Sequence, residues 1–259
     1  MRAVVTGGAG FIGSHVVDAL ADRGDEVHVV DNFATGRREN LNGAAQVHEH
    51  DIQQPLASLF AQVRPERVFH LAAQADVGTS VQQPQLDASV NVLGTLNVLE
   101  GARPHDAVVV FTSTGGAMYG ECPKPAPEDA PREPLSPYGT SKLCGEEYLA
   151  TWNRLHGTRH VALRLANVYG PRQLAKLEGG VVAIFMDRLR TGEETSVLEL
   201  FEACRRVAGV GVEAEHAPAR PGEARRSVLD VSLAERELGW SPRTTLEDGL
   251  RETWRSTAD

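Results

Sequence analysis

The segment RAVVTGGAGFIGSHVVDALADRGDEVHVVDN, residues 2–32, constrains the fold more than any other. Arg2 to Thr6 is a short β-branched run, as a buried parallel strand requires. Gly7, Gly10 and Gly13 follow, then a helical pattern through HVVDALADRG, then a second apolar run, EVHVV, ending in Asp31. Strand, glycine turn, helix, strand and acid within about thirty residues predict a dinucleotide-binding unit. One glycine permits the tight turn, one lets the backbone approach a pyrophosphate, and one lets the helix pack close on the sheet. The helix N-terminus offers free N–H groups and a positive dipole end to the phosphates. A carboxylate at Asp31 accepts from a ribose 2′-OH and repels a 2′-phosphate, which favours NAD over NADP. Arg37 and Arg38 lie a few residues on and could soften that preference; they read first as a solvated loop.

Alternation continues downstream. QVHEHD (46–51), ERVFHLAA (66–73) and DAVVVFTST (106–114) read as strands, with PLASLFAQV and PQLDASVNVLGTLNVLEGAR as helices between them. This pattern predicts an α/β fold with a doubly wound parallel sheet, whose ligands sit at the carboxyl ends of the strands. Thr6, Asp31, Asp51, Leu71 and Ser113 lie at such ends.

The net charge of -9 argues against a nucleic-acid partner. Cys122, Cys144 and Cys204 show neither a disulfide framework nor metal-ligand spacing, so no metal is expected. No apolar run approaches the ~20 residues that span a bilayer, so no membrane partner is expected. The chain opens directly on its first strand, and the expectation is a cytoplasmic protein.

SPYGTSK, residues 136–142, follows the proline-dense ECPKPAPEDAPREPLSP, which cannot be helical. Tyr138 reads as the first or second residue of a new helix through residue 156. Positions i and i+4 share a helical face, so the Tyr138 phenol and the Lys142 ammonium point the same way.

With VTGGAGFIGSH, HLAAQADV, FTSTGGAMYGE, SPYGTSK and RLANVYGPR in this order, the chain resembles the extended short-chain dehydrogenase/reductase family. Within it, the likeness is nearest to the NAD-dependent sugar-nucleotide epimerases and dehydratases, the UDP-glucose 4-epimerase group among them. It covers residues 1 to about 190 well and 195–259 more loosely. The resemblance implies a Rossmann sheet with NAD, a UDP-sugar substrate, and a homodimer built on helices near 86–102 and 138–156. It implies that Tyr138 is the acid/base and Lys142 its helper. An unperturbed tyrosine titrates near ~10; an adjacent ammonium, with the positive nicotinamide ring, is expected to lower that value. The same likeness makes Phe11, Ile12, Asn32, Asp51, Ile52, Leu71, Ala72, Ala73 and Gln74 cofactor contacts, beside Tyr138 and Lys142. Asn167, Arg220 and Glu223 match positions that meet the nucleotide diphosphate. Ser113 or Thr114 shares the substrate hydroxyl's proton with Tyr138, and the residues do not choose between them. The expected division is 1–170 for the cofactor and 171–259 for the substrate.

Dehydratases of this family carry an Asp-Glu pair before the YG motif, and decarboxylating relatives a glutamate. Here residues 113–118 read Ser-Thr-Gly-Gly-Ala-Met, without a carboxylate, which favours simple C4 epimerisation through a transient 4-keto sugar. Gly115 stands where many relatives place a serine or threonine. The small Ser227 suggests room for an N-acetyl group. After GGVVAIFMDRLRTGE the chain joins ETSVLEL directly near 190–195, where the family has a further strand-helix-strand unit. The rival readings are a dehydratase or reductase on a related sugar nucleotide, and a catalytically impaired NAD-binding protein.

Overall fold

The computed structural model describes residues 1–173, 196–214 and 218–256. The junction near 190–195 lies outside the described residues. The chain forms two compact units. One comprises Met1–Thr114 with Ser136–Arg164; the other comprises Gly115–Leu135 with the described part of Leu165–Asp259.

A six-stranded sheet runs β1 (Arg2–Thr6), β2 (Glu26–Asp31), β3 (Gln46–Glu49), β4 (Arg67–His70), β5 (Val108–Thr114) and β6 (Val161–Leu165) in chain order. Its spatial order is β3-β2-β1-β4-β5-β6. β1 pairs in parallel with β2 and β4, β2 with β3, and β4 with β5. This is the expected doubly wound arrangement, with the order reversing beside β1. Alternate side chains of a strand face opposite sides. Ala3 and Val5 accordingly join Val17 and Leu20 of α1 (Phe11–Asp22), while Val4 joins Leu56, Phe60, Val98 and Leu99 on the other side. β1 is covered on both faces, which is why Ala3, Val4 and Val5 are all apolar, whereas the edge strand β3 reads Gln-Val-His-Glu and is largely exposed.

Helices α2 (Ala57–Val63) and α3 (Val77–Gln82) follow β3 and β4. The single helix expected from Pro84 is interrupted. α4 (Pro84–Ala88) runs into a π-helical turn over Ser89–Leu93 before α5 (Gly94–Ala102) resumes regular winding. α6 (Pro137–His156) begins where the sequence predicts. Ser136 caps it by accepting from Gly139 N–H, Pro137 occupies the first turn, where its missing N–H costs nothing, and Gly157 closes it in the left-handed region.

The second unit holds α7 (Val197–Ala208), α8 (Ser232–Leu238) and α9 (Leu246–Ser256). Its buried cluster is Leu200, Ala203 and Leu250, with Tyr169, Cys204, Val207 and Leu246 packed against it. The proline-dense segment is tied down rather than loose. Cys122 N–H donates to Arg226 O, Ala126 N–H to Val228 O, and Asp230 N–H to Ala126 O. The Glu121 carboxylate accepts from the N–H groups of Arg225 and Arg226.

Candidate functional site

The glycine turn leaves no space for side chains. A Cβ on Gly7, whose φ is +70°, would lie 2.6 Å from Ala72 N, and one on Gly13 would lie 2.0 Å from Gly7 O. Gly10 caps α1 with no side-chain hydrogen bond, and the first turn contains no acid. The opening N–H groups of α1 therefore meet no carboxylate of their own helix, as a pyrophosphate site requires. Phe11 is buried, and Ile12 stands beside it on the first turn of α1.

Asp31 ends β2. Its carboxylate accepts from Ala9 N–H at 2.9 Å and from Phe33 N–H at 2.8 Å, so it also fixes the turn it follows. Each oxygen keeps a further lone pair for a ribose hydroxyl. Arg37 is paired with Glu39, and Arg38 is paired with Glu49 and stacked on the Phe33 ring, which bears out the solvated reading of both. Asn32 donates to Asp51 at 3.0 Å. Burial raises the Asp51 carboxyl, but hydrogen bonds from Gln53 and Asn32 outweigh it and leave the group below its usual range. Ile52 is a core residue whose carbonyl accepts from Asn97. Leu71 and Ala72 follow β4 against Thr6, with Leu71 N–H on Thr6 O and Ala72 N–H on Thr6 Oγ1; Ala73 and Gln74 continue that strand end.

Tyr138 and Lys142 lie one turn apart near the start of α6, and the Lys142 Nζ stands 6.0 Å from the centre of the phenol ring. Lys142 is buried, donates to Thr112 O at 2.9 Å and lies over Phe111. Burial pushes its ammonium down to about 8, partly offset by the charge of Asp87. The phenol moves the other way from expectation. Burial and the Asp87 charge push it up to about 12, and only the Thr114 hydroxyl pulls it down. The expected depression by Lys142 is absent: its Nζ stands 6.0 Å from the ring centre and donates to Thr112 O.

The two candidate hydroxyls at the end of β5, Ser113 and Thr114, are sorted by strand alternation. Thr114 hydrogen-bonds the phenol. Ser113 points the other way and donates to Glu146 Oε1 at 2.6 Å. Glu146 also accepts from Arg164 Nε at 2.9 Å and Nη2 at 2.7 Å, in a largely buried ion pair that joins α6 to β6. Removing one member of such a pair costs about 3–5 kcal/mol. Sequence reasoning missed this clamp, and it missed a second polar group. Asp87, Asn91 and Thr95 are each about 1–3% exposed, four residues apart along one helix. Asn91 sits in the π-helical turn, a distortion common at functional sites. The polar stripe at 87, 91 and 95, set within an otherwise apolar pattern, was the available signal.

His70 joins this stripe to the glycine turn. Thr95 Oγ1 donates to Asn91 O at 2.6 Å, so it accepts from His70 Nε2–H at 3.0 Å. His70 Nδ1 then accepts from Thr6 Oγ1–H at 2.7 Å. Neutral imidazole satisfies every member, and burial holds His70 in that form, down to about 3.

Gly115, the departure from many relatives, has a steric cause. A Cβ there would meet Leu229 Cδ1 at 2.3 Å. Asn167 is exposed in the second unit, and Arg220 and Glu223 face each other there at 3.6 Å on an exposed turn. Among the described residues no group of three or more His, Cys, Asp or Glu is placed to hold a metal ion.

A profile of the NAD dependent epimerase/dehydratase family matches residues 3–232. UDP-glucose 4-epimerase of Mycolicibacterium smegmatis is 38% identical over 98% of this chain and 97% of its own length. That alignment runs to 304 positions, which 259 residues cannot fill, so this chain is the shorter. The crystal structure of UDP-glucose 4-epimerase with UDP-glucose from Thermotoga maritima superposes with a TM-score of 0.93 at 39% identity, covering 100% of both chains. The UDP-glucose 4-epimerase of Thermus thermophilus in complex with NAD gives 0.92 at 38% identity, over 100% of this chain and 99% of that one.

Proposed function

This chain belongs to the NAD-dependent epimerase/dehydratase family, and from that premise we propose that it is a nucleotide-sugar 4-epimerase of the UDP-glucose/UDP-galactose type. The observation that carries the reading is Tyr138, bonded to the Thr114 hydroxyl and backed by Lys142, with no carboxylate among residues 113–118 to eliminate water or assist at C5.

NAD, whose diphosphate fits the glycine turn of residues 7–13 and whose adenosine ribose suits Asp31, supplies the reversible hydride acceptor when bound. The chain handles the proton. Tyr138 Oη takes the proton of the sugar hydroxyl and returns it after inversion, and the Thr114 hydroxyl stabilises the phenolate between the two transfers. Lys142 supplies a fixed positive charge on the same helical face. Burial and the Asp87 charge hold the phenol up at about 12, and a bound cofactor's positive ring would act against them. Gly7, Gly10, Phe11, Ile12, Gly13, Asp31, Asn32, Asp51, Ile52 and residues 71–74 form the cofactor side. Asn167, Arg220 and Glu223 are assigned to the diphosphate of the substrate, an arginine being suited to bidentate phosphate contact. The active form is a homodimer in the cytoplasm. Leu86, Leu93, Tyr148 and Leu155, all exposed, supply apolar surface on the helices that would pair. No helix among the described residues is long and apolar enough to cross a membrane.

The test is interconversion of UDP-galactose and UDP-glucose by purified protein without added NAD, with light scattering for the dimer. Retained NAD without turnover on any UDP-sugar supports a binding protein instead, and a stable 4-keto-6-deoxy product supports a dehydratase.

A further inference from the structure

Tyr138, Lys142 and Glu146 stand at four-residue intervals on one face of α6, and each meets the end of β5. The phenol bonds the Thr114 hydroxyl, Lys142 Nζ donates to Thr112 O at 2.9 Å, and Glu146 Oε1 accepts from Ser113 Oγ at 2.6 Å. These contacts differ in stiffness. The first joins two neutral hydroxyls and the second hangs on a long flexible stem, so either tolerates a small slip of the helix. The third is held from two neighbouring strands at once. Beside Ser113 of β5, Arg164 of β6 donates through Nε to Glu146 Oε1 at 2.9 Å and through Nη2 to Oε2 at 2.7 Å. A guanidinium fork on both oxygens fixes the direction of the carboxylate as well as its distance. Helix and strand approach closely at the same turn, where a Cβ on Gly145 would lie 2.6 Å from Phe111 Cζ.

We propose that Glu146 is a positioning residue: its buried pair with Arg164, tied to Ser113, sets the place of α6 along β5 at which Tyr138 meets Thr114.

The Glu146 and Arg164 side chains are 7% and 16% exposed. Desolvation of two charges offsets most of their attraction at such a site, and apolar side chains of similar volume would hold the surfaces as firmly. What the ion pair adds is register. Tyr138 lies two turns nearer the N-terminus of the same stiff helix, so a slip at Glu146 is carried to the phenol. On the side of the π-helical turn, Asn91 Nδ2 donates to Ser141 Oγ at 3.1 Å, a neutral bond that does not touch β5.

The role rests on the epimerase reading, but its first test does not. The chain has four tyrosines, Tyr119, Tyr138, Tyr148 and Tyr169, so a 13Cζ-tyrosine NMR spectrum of the whole protein, assigned with Tyr138→Phe, reads the phenol directly. Thr114→Val marks where the Tyr138 signal lies without its hydroxyl partner. Glu146→Gln, of the same length but without the charge, is expected to move the signal toward that position. The triple variant Ser113→Ala/Glu146→Leu/Arg164→Met strands no polar partner, so it should melt no lower than wild type and still displace the Tyr138 signal. It serves alone if Glu146→Gln does not fold. An unmoved Tyr138 signal in a folded variant overturns the proposal. With turnover established, Glu146→Gln should lower kcat about tenfold at unchanged KM for UDP-galactose. Adding Thr114→Val should then lower kcat little further, because both changes remove one contact. Losses that multiply mean that the pair contributes stability alone, and the positioning role is lost. A protein without turnover that still shows the displaced signal keeps the positioning role and loses the epimerase reading.

Discussion

In the first unit Phe60, Phe111, Leu56 and Leu99 are fully covered, and the polar side chains among them are joined into directed hydrogen-bond chains. Among the described residues of the second unit, Leu200, Ala203 and Leu250 form one buried cluster and Met118, Tyr119, Cys122, Ala126 and Val228 are also buried, while Val197, Leu198, Leu238, Trp240 and Trp254 stand exposed at 44–64%. The proton-handling groups thus sit in a medium that cannot rearrange, where small displacements are costly. The proposed substrate contacts Asn167, Arg220 and Glu223 are exposed side chains. The contrast is one of exposure, since Thr114 and Lys142 are buried and these three are not.

The largest break in this contrast is chemical. Tyr138→Phe removes one hydroxyl whose partner is Thr114, so the fold should persist by circular dichroism while turnover falls by about a hundredfold to ten-thousandfold. Undiminished inversion would end the acid/base assignment. Next, Gly13→Ala forces a Cβ into Gly7 O and should cost about 3 kcal/mol together with retention of NAD. Leu250→Ala, in the buried cluster of the second unit, should cost about 2–3 kcal/mol yet leave NAD bound. The two responses separate by fluorescence, since Trp240 and Trp254 belong to the second unit and Trp152 to the first. If Leu250→Ala released NAD as readily as Gly13→Ala, the contrast between the units would fail.

His70 gives a smaller, pH-dependent effect confined to the first unit. Its folded value is depressed to about 3, while the unfolded chain takes up the proton near ~6.5. Between those values the unfolded state binds more protons, so stability rises with pH and falls on acidification. The loss should be about 2 kcal/mol from pH 6.5 to 5. His70→Gln should flatten that slope in urea melts; an unchanged slope would mean that His70 does not remain neutral. Smallest is the division between neighbours on β5. Thr114→Val should lower kcat about tenfold, the equivalent of one hydrogen bond. Ser113→Ala should instead cost about 2 kcal/mol of stability through Glu146.

The legible parts of this molecule are the local ones. Gly7, Gly10, Gly13 and Asp31 are spaced by the geometry of one strand-helix-strand unit, and Tyr138 and Lys142 by one helical turn. The central strands β1, β2 and β5 could be read because their burial makes them largely apolar. Other features depend on partners remote in sequence. Glu146 reads as one more charge on a helix until Arg164 is brought against it, and Asp87 reads as solvated until Gln74 and Asn91 close over it. The choice of Thr114 over Ser113 needs the position of α6 relative to β5, which alternation alone does not give. The upward shift of the phenol was missed for the same reason, since spacing reports the neighbour and not the burial. Gly115 could be seen as a departure, but its cause, Leu229, stands far along the chain.

The path of the backbone between the units has a practical corollary. It leaves the first unit immediately after Thr114, re-enters at Ser136, the cap of the helix that bears Tyr138, and leaves again after Arg164, the partner of Glu146. Each seam abuts a residue that anchors the proton-transfer apparatus. Grafting 115–135 together with the stretch after 164 from a relative is thus a route to test for a new sugar preference, because Thr114 and Thr112, the described partners of Tyr138 and Lys142, stay with the host.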